Sequence, residues 1–100
     1  MKKQASFLID RQRVLDEFRA NPLPILDHYL EGRVRHGEFM ALNPTRSDKH
    51  LGSFLINISA KPGVYCDFAT GDKGHNIVQL VSYIRGISYA EAVYELKTII

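Results

Sequence analysis

The chain has 100 residues, 45% hydrophobic and 24% charged, the balance of an ordinary soluble globular protein. Thirteen basic against eleven acidic residues leave a net charge of +2, too mild to announce nucleic-acid binding by itself. A single cysteine excludes an internal disulfide, and no apolar run approaches the roughly 20 residues of a membrane span, so neither secretion nor a membrane partner is expected.

A length near the roughly 100–150 residues typical of one domain predicts a single domain over 1–100, with helices in 1–32 and a mixed module in 33–100. At the start, Phe7–Leu8–Ile9 is too short for a signal segment. Asp10 precedes a helical pattern of Val14, Leu15 and Phe18, which Asn21–Pro22 stops. Asn21 can cap a second short helix with Pro22 at its first position; Ile25, Leu26, Tyr29 and Leu30 form its apolar face and Gly32 its stop. Arg33 to Leu42 reads as one strand with imperfect alternation, consistent with a bulge near Gly37.

The segment NPTRSDKHLG, residues 43–52, has no usable periodicity and reads as a loop. In SFLINIS, Phe54, Ile56 and Ile58 alternate with Leu55 and Asn57. Lys61–Pro62–Gly63 then makes a turn, and Val64, Cys66 and Phe68 alternate with Tyr65 and Asp67, which predicts an antiparallel hairpin. Cys66, in register with Val64 and Phe68, is expected to face the core as a small hydrophobe. After Asn76 the period turns helical, with Ile77, Val78, Leu80, Val81 and Ile84 on one face and Gly86 as the stop. Ser88 and Glu91 form an S-x-x-E capping box that opens a last helix bearing Tyr89, Ala92, Val93, Leu96 and Ile100. The fold class is therefore α+β: a small antiparallel sheet of about three strands flanked by N-terminal and C-terminal helices.

The turn TGDKG, residues 70–74, invites a comparison with phosphate loops. A Walker-type loop needs G-x-x-x-x-G-K-[ST], but Gly71 and Gly74 are followed by His75–Asn76, and G-x-G-x-x-G is also missing. The turn reads as a structural corner between strand and helix. Asp67 and Asp72 read as turn formers rather than acid–base groups, and a Cys66 nucleophile paired with His50 or His75 is the weaker alternative. The middle of the chain is where an anionic partner would be sought: Arg33, Arg35, Arg46, Lys49, Lys61 and Lys73 stand there against Glu38, Asp48, Asp67 and Asp72.

Taken in order, EFMALNPTRSD, GSFLINI, YCDFATGDKGHNIVQLVSYIRG and SYAEAVYEL resemble the zinc-binding ribbon at the N-terminus of bacterial and phage DNA primases. That pattern runs Cys-Pro-x-His loop, Pro-Ser-Phe strand, Cys-x-x-Cys strand end, Gly-rich turn, apolar helix and closing helix. The resemblance covers about residues 38–96. It puts Asn43, Arg46, Cys66 and Ala69 at the four metal positions, where only Cys66 keeps a ligand type that structural zinc favours. It therefore implies a degenerate, metal-free branch of the kind found in phage and plasmid primase–helicase proteins, with no metal and no cofactor. Arg46, near Asp48 or Asp67, could bridge the vacated position by charge-assisted hydrogen bonds.

The resemblance further implies a non-catalytic accessory domain for DNA replication, cytoplasmic, that binds single-stranded template DNA and supports primer synthesis. The phosphate contacts it suggests are Arg33, Arg35, Arg46, Lys49, Lys61 and Lys73; Phe39 and Tyr65 would stack on bases if they face solvent. The alternative is a protein-interaction module that docks on a primase, helicase or polymerase without touching DNA. The apolar ending Thr98–Ile99–Ile100 fits a helix that leads into a further domain.

Overall fold

The computed structural model describes residues 2–100, with side chains from Ala5 onward. Its elements run α1 (Lys2–Ala20), α2 (Pro22–Tyr29), β1 (Gly32–Arg35), β2 (Glu38–Ala41), β3 (Phe54–Asn57), β4 (Tyr65–Asp67), β5 (Lys73–Gly74), α3 (Ile77–Arg85) and α4 (Tyr89–Ile99). The class is α+β, as expected. The sheet has five strands in sequential order, each pair antiparallel, rather than about three.

Two readings account for the extra strands. The expected single strand over 33–42 is a hairpin, β1–β2, whose His36–Gly37 turn has both residues at positive φ (51° and 76°). That is the two-residue geometry whose twist matches antiparallel strands, and the imperfect alternation near Gly37 is a turn, not a bulge. The fifth strand, Lys73–Gly74, comes from the glycine-rich corner itself, which pairs back onto β4. At Gly74 a Cβ would collide with the ring of Tyr65, so only glycine lets the corner close over that side chain.

The N-terminal helix begins at Lys2, eight residues before the expected start at Asp10. Leu8 and Ile9 are exposed, so the first turns carry no buried stripe for periodicity to report. Asn21 does sit at the N-cap of α2 with Pro22 behind it, though its side chain makes no capping hydrogen bond. Gly32 opens β1 instead of stopping the helix, because Leu30 has already turned to extended backbone (φ −132°, ψ 150°). The later boundaries are as expected. The Asn76 side chain accepts the Gln79 N–H, Gly86 closes α3 in the left-handed region, and the Ser88–Glu91 capping box is complete.

One hydrophobic core gathers Val14 and Phe18 of α1, Ile25 and Leu26 of α2, the inward sheet residues, and the inner faces of α3 and α4. The register defines the two faces of the sheet. Val34, Phe39, Ile56, Tyr65 and Gly74 form one cross-strand row, with Ala41, Phe54 and Asp67 beside it, and this face meets the helices. The opposite face carries the row Arg33, Met40, Leu55, Cys66 and Lys73.

We expect Gly74→Ala to destabilise the fold by about 1–3 kcal/mol, the usual cost of forcing atoms into a packed site. Thermal unfolding should show the loss, and an unchanged Tm would mean that the corner does not depend on this close approach.

Candidate functional site

Strands β2 and β4 both end at one edge of the sheet, and the loops that leave them meet there. The loop after β2 turns on itself: the Asn43 Oδ1 accepts the Thr45 N–H at 2.9 Å, and the Asn43 N–H donates to Asp48 Oδ2 at 2.9 Å. The loop after β4 winds around Asp67, whose carbonyl accepts the Thr70 and Gly71 N–H groups at 3.2 and 2.7 Å.

The two loops are joined by side chains. Asn43 Nδ2 donates to Asp67 Oδ2 at 2.8 Å, and Arg46 donates to the same carboxylate through Nε (3.0 Å) and Nη2 (3.3 Å). The Arg46 guanidinium also reaches Ser53 Oγ at 2.8 Å and Asp48 at 3.3 Å. The Ala69 N–H closes the shell of Asp67 at 2.9 Å. Tyr83 of α3 extends the knot, its hydroxyl accepting from Asn43 Nδ2 at 2.8 Å and donating to Asp72 at 2.7 Å. Among the described residues, no buried side-chain nitrogen or oxygen is left without a partner.

Asp67 is 0% exposed yet ionised at neutral pH. Burial pushes its pKa up, but the hydrogen bonds from Arg46, Asn43 and the Ala69 N–H, with the Arg46 charge, outweigh that and bring it down to about 2. The Arg46 pKa is raised, chiefly by the hydrogen bond to Asp67.

Two of the four expected metal positions, Asn43 and Arg46, come together, and the expected bridge from Arg46 to Asp48 and Asp67 is present. The other two are corrected. Cys66 does not face the core or this cluster: it is half-buried on the opposite face of the sheet, between Leu55 and Lys73. Ala69 contributes only its backbone N–H. Asp67, read as a turn former, takes the inward place. Carrying Asp67 inward along with Tyr65 inverts the expected alternation, because a one-residue offset turns every side chain of a strand over.

The zinc that such a ribbon would carry does not fit these residues. A guanidinium offers no lone pair, Asn43 spends its amide on Asp67 and Tyr83, and the Asp67 oxygens are taken by donors. Among the described residues, no group of three or more His, Cys, Asp or Glu is arranged to hold a metal ion.

The predicted nucleic-acid contacts divide sharply. Phe39 and Tyr65 are 1% and 5% exposed and belong to the core, so neither can stack on a base. Arg46 is committed to the knot. Arg33, Arg35, Lys49, Lys61 and Lys73 are exposed. Arg33 and Lys73 stand at the two ends of the outer row, four interstrand steps apart, or about 19 Å. Met40, Leu55 and Cys66 form its apolar middle. Arg35 lies on the same face one row on, while Lys61 and Lys49 sit in the hairpin turn and the 43–53 loop.

Sequence reasoning missed Phe68. Expected in the core, it is 70% exposed, in the turn directly after β4. Its N–H donates to the Ser53 carbonyl at 2.8 Å, which fixes its backbone beside the loop that carries the knot. Inward placement of Asp67 is the signal that would have found it.

A five-stranded antiparallel sheet with two facing loops tied at one edge, followed by two helices, defines a ribbon-type α+β module. No family model and no curated protein matches the chain. Among solved structures it is similar to the crystal structure of the Aquifex aeolicus primase, which comprises zinc-binding and RNA polymerase domains. The TM-score is 0.64 at 25% identity, over 85% of this chain and 21% of that one. The chain thus has a primase-like fold and spans about a fifth of that primase chain's length. Among the described residues, no helix is long and apolar enough to cross a membrane.

Asp67 sets an expected pH response. Its folded pKa, about 2, lies below the ordinary aspartate value of about 3.9, so its contribution is present above the latter and is lost as pH falls through the former. The contribution at neutral pH is about 2–3 kcal/mol. In urea titrations, the stability gap between wild type and Asp67→Asn should narrow steadily between about pH 5 and pH 2. A gap independent of pH would show that Asp67 is not held ionised by the knot.

Proposed function

We propose that the chain is a primase-related replication module whose outer sheet face engages single-stranded template DNA. The observation that carries this reading is the outer row. Exposed Arg33 and Lys73 stand at its two ends with half-buried Leu55 and Cys66 and buried Met40 between them, and the exposed Phe68 follows β4 directly. A single strand needs cations that follow phosphates and a flat apolar surface for bases, and an aromatic face accepts any base. The likeness to the Aquifex primase supports the replication context. The module acts without chemistry of its own in this reading. The carboxylates near the conspicuous turn are engaged, Asp67 by the knot and Asp72 by Tyr83.

A second reading, docking on a primase, helicase or polymerase, is favoured by apolar side chains on the helical side. Leu8, Ile9 and Tyr94 are 53%, 68% and 69% exposed, and a groove between α1 and α4 is lined by Phe7, Val93 and Tyr94.

Fluorescence anisotropy with a short labelled single-stranded oligonucleotide separates the two. The DNA reading expects salt-sensitive binding. Phe68→Ala should weaken it by about 1–3 kcal/mol for the base stacked there, and Lys73→Ala should lower the salt slope by about one. Absence of affinity even at low salt would leave the docking reading.

A further inference from the structure

The strongest departure from the ribbon pattern is the chemistry of the tied loops. The similar Aquifex primase structure includes a zinc-binding domain; in this chain the residues that meet at the end of the sheet are a cation, a carboxylate and an amide. We infer that the Asn43–Arg46–Asp67 knot is a built-in substitute for a structural metal ion, with the Arg46 guanidinium supplying the positive charge that draws the two loops together.

Three features argue for substitution rather than a chance surface ion pair. First, the connectivity is that of a two-loop metal knuckle: Asn43 and Arg46 lie three residues apart on one loop, and Asp67 with the Ala69 N–H lies on the other. Structural zinc sites draw pairs of ligands from two such segments. Second, the anionic partner is fully buried, and a buried carboxylate needs a compensating cation as thiolates need a metal. Third, the cation is multiply bonded. Its Nε and Nη2 hold Asp67 while Nη2 also meets Asp48 and Ser53, the residue before β3, so one guanidinium ties both ends of the 43–53 loop to Asp67. A planar fork with several donors can do this, whereas a single ammonium is a point charge.

The inference depends on the fold and the knot, not on DNA binding, so each can fail without the other. It is tested on the full chain by metal analysis, thermal unfolding with and without excess chelator, and hydrogen exchange. Purified protein should hold less than stoichiometric zinc, and chelator should leave its Tm unchanged. Arg46→Met should lower Tm and raise the exchange rates of the Asn43 and Ala69 amides at least about tenfold, since it strands a buried charge. The double variant Arg46→Met with Asp67→Asn, which removes both charges, should be more stable than Arg46→Met alone. If Arg46→Met fails to fold, the double variant still reports the coupling. Stoichiometric zinc whose removal lowers Tm would overturn the inference. So would an Arg46→Met protein as stable and as protected as wild type, or a double variant no better than the single.

Discussion

A carboxylate with no access to water is the constraint around which this protein is arranged. Asp67 can stay ionised there only if donors arrive from elsewhere in the chain, because desolvating an unpaired charge costs far more than a small domain's whole margin of stability. The donors come from Asn43, Arg46 and the Ala69 N–H. Their geometry fixes how the 43–53 loop folds back, where the 68–72 turn runs and which way β4 faces. Through Tyr83 the same constraint reaches α3, and through the stacked Tyr65–Tyr83 pair, 5.6 Å between ring centres, it reaches the core.

The facing of β4 decides what the rest of the sheet can offer. With Tyr65 and Asp67 inward, Cys66 and Phe68 are turned outward beside Leu55 and Lys73. Phe54 and Ile56 then meet Tyr65 in the core, and the opposite face carries an exposed basic residue at each end of its row. The interior ion pair and the exterior surface are thus two consequences of one register.

Much of the architecture was legible because its signals are local. The change from period two to the helical period after Asn76 located α3, the Ser88–Glu91 spacing located the start of α4, and Pro62–Gly63 located a hairpin. The errors fall where the signal is not local. His36–Gly37 is a two-residue turn without the usual asparagine, so one strand was read in place of two. The corner residues Lys73 and Gly74 form a strand only because β4 lies alongside. The alternation of 64–68 was read inside out, since Val64, Cys66 and Phe68 look more apolar than Tyr65 and Asp67. Only the partners of Asp67, distant in sequence, reverse that preference. The same error put Phe68 in the core and left Tyr65 as a stacking candidate, when the reverse placement holds.

The choice of cation follows from the geometry of the gap. A metal ion joins two loops at a point and asks for ligands with lone pairs converging on it. A guanidinium joins them along a plane and asks for acceptors: the Asp67 carboxylate, the Asp48 carboxylate and the Ser53 hydroxyl all lie around Arg46. Asn43 serves the planar arrangement because its amide nitrogen donates to Asp67 and Tyr83 while its oxygen holds the Thr45 N–H. Lysine would supply the charge without the fork, and a neutral residue would leave Asp67 uncompensated. A closure of this kind answers to protonation of the carboxylate rather than to metal supply. Arg46 is drawn inward for that purpose, while Arg33 and Lys73, which the knot does not use, stay exposed.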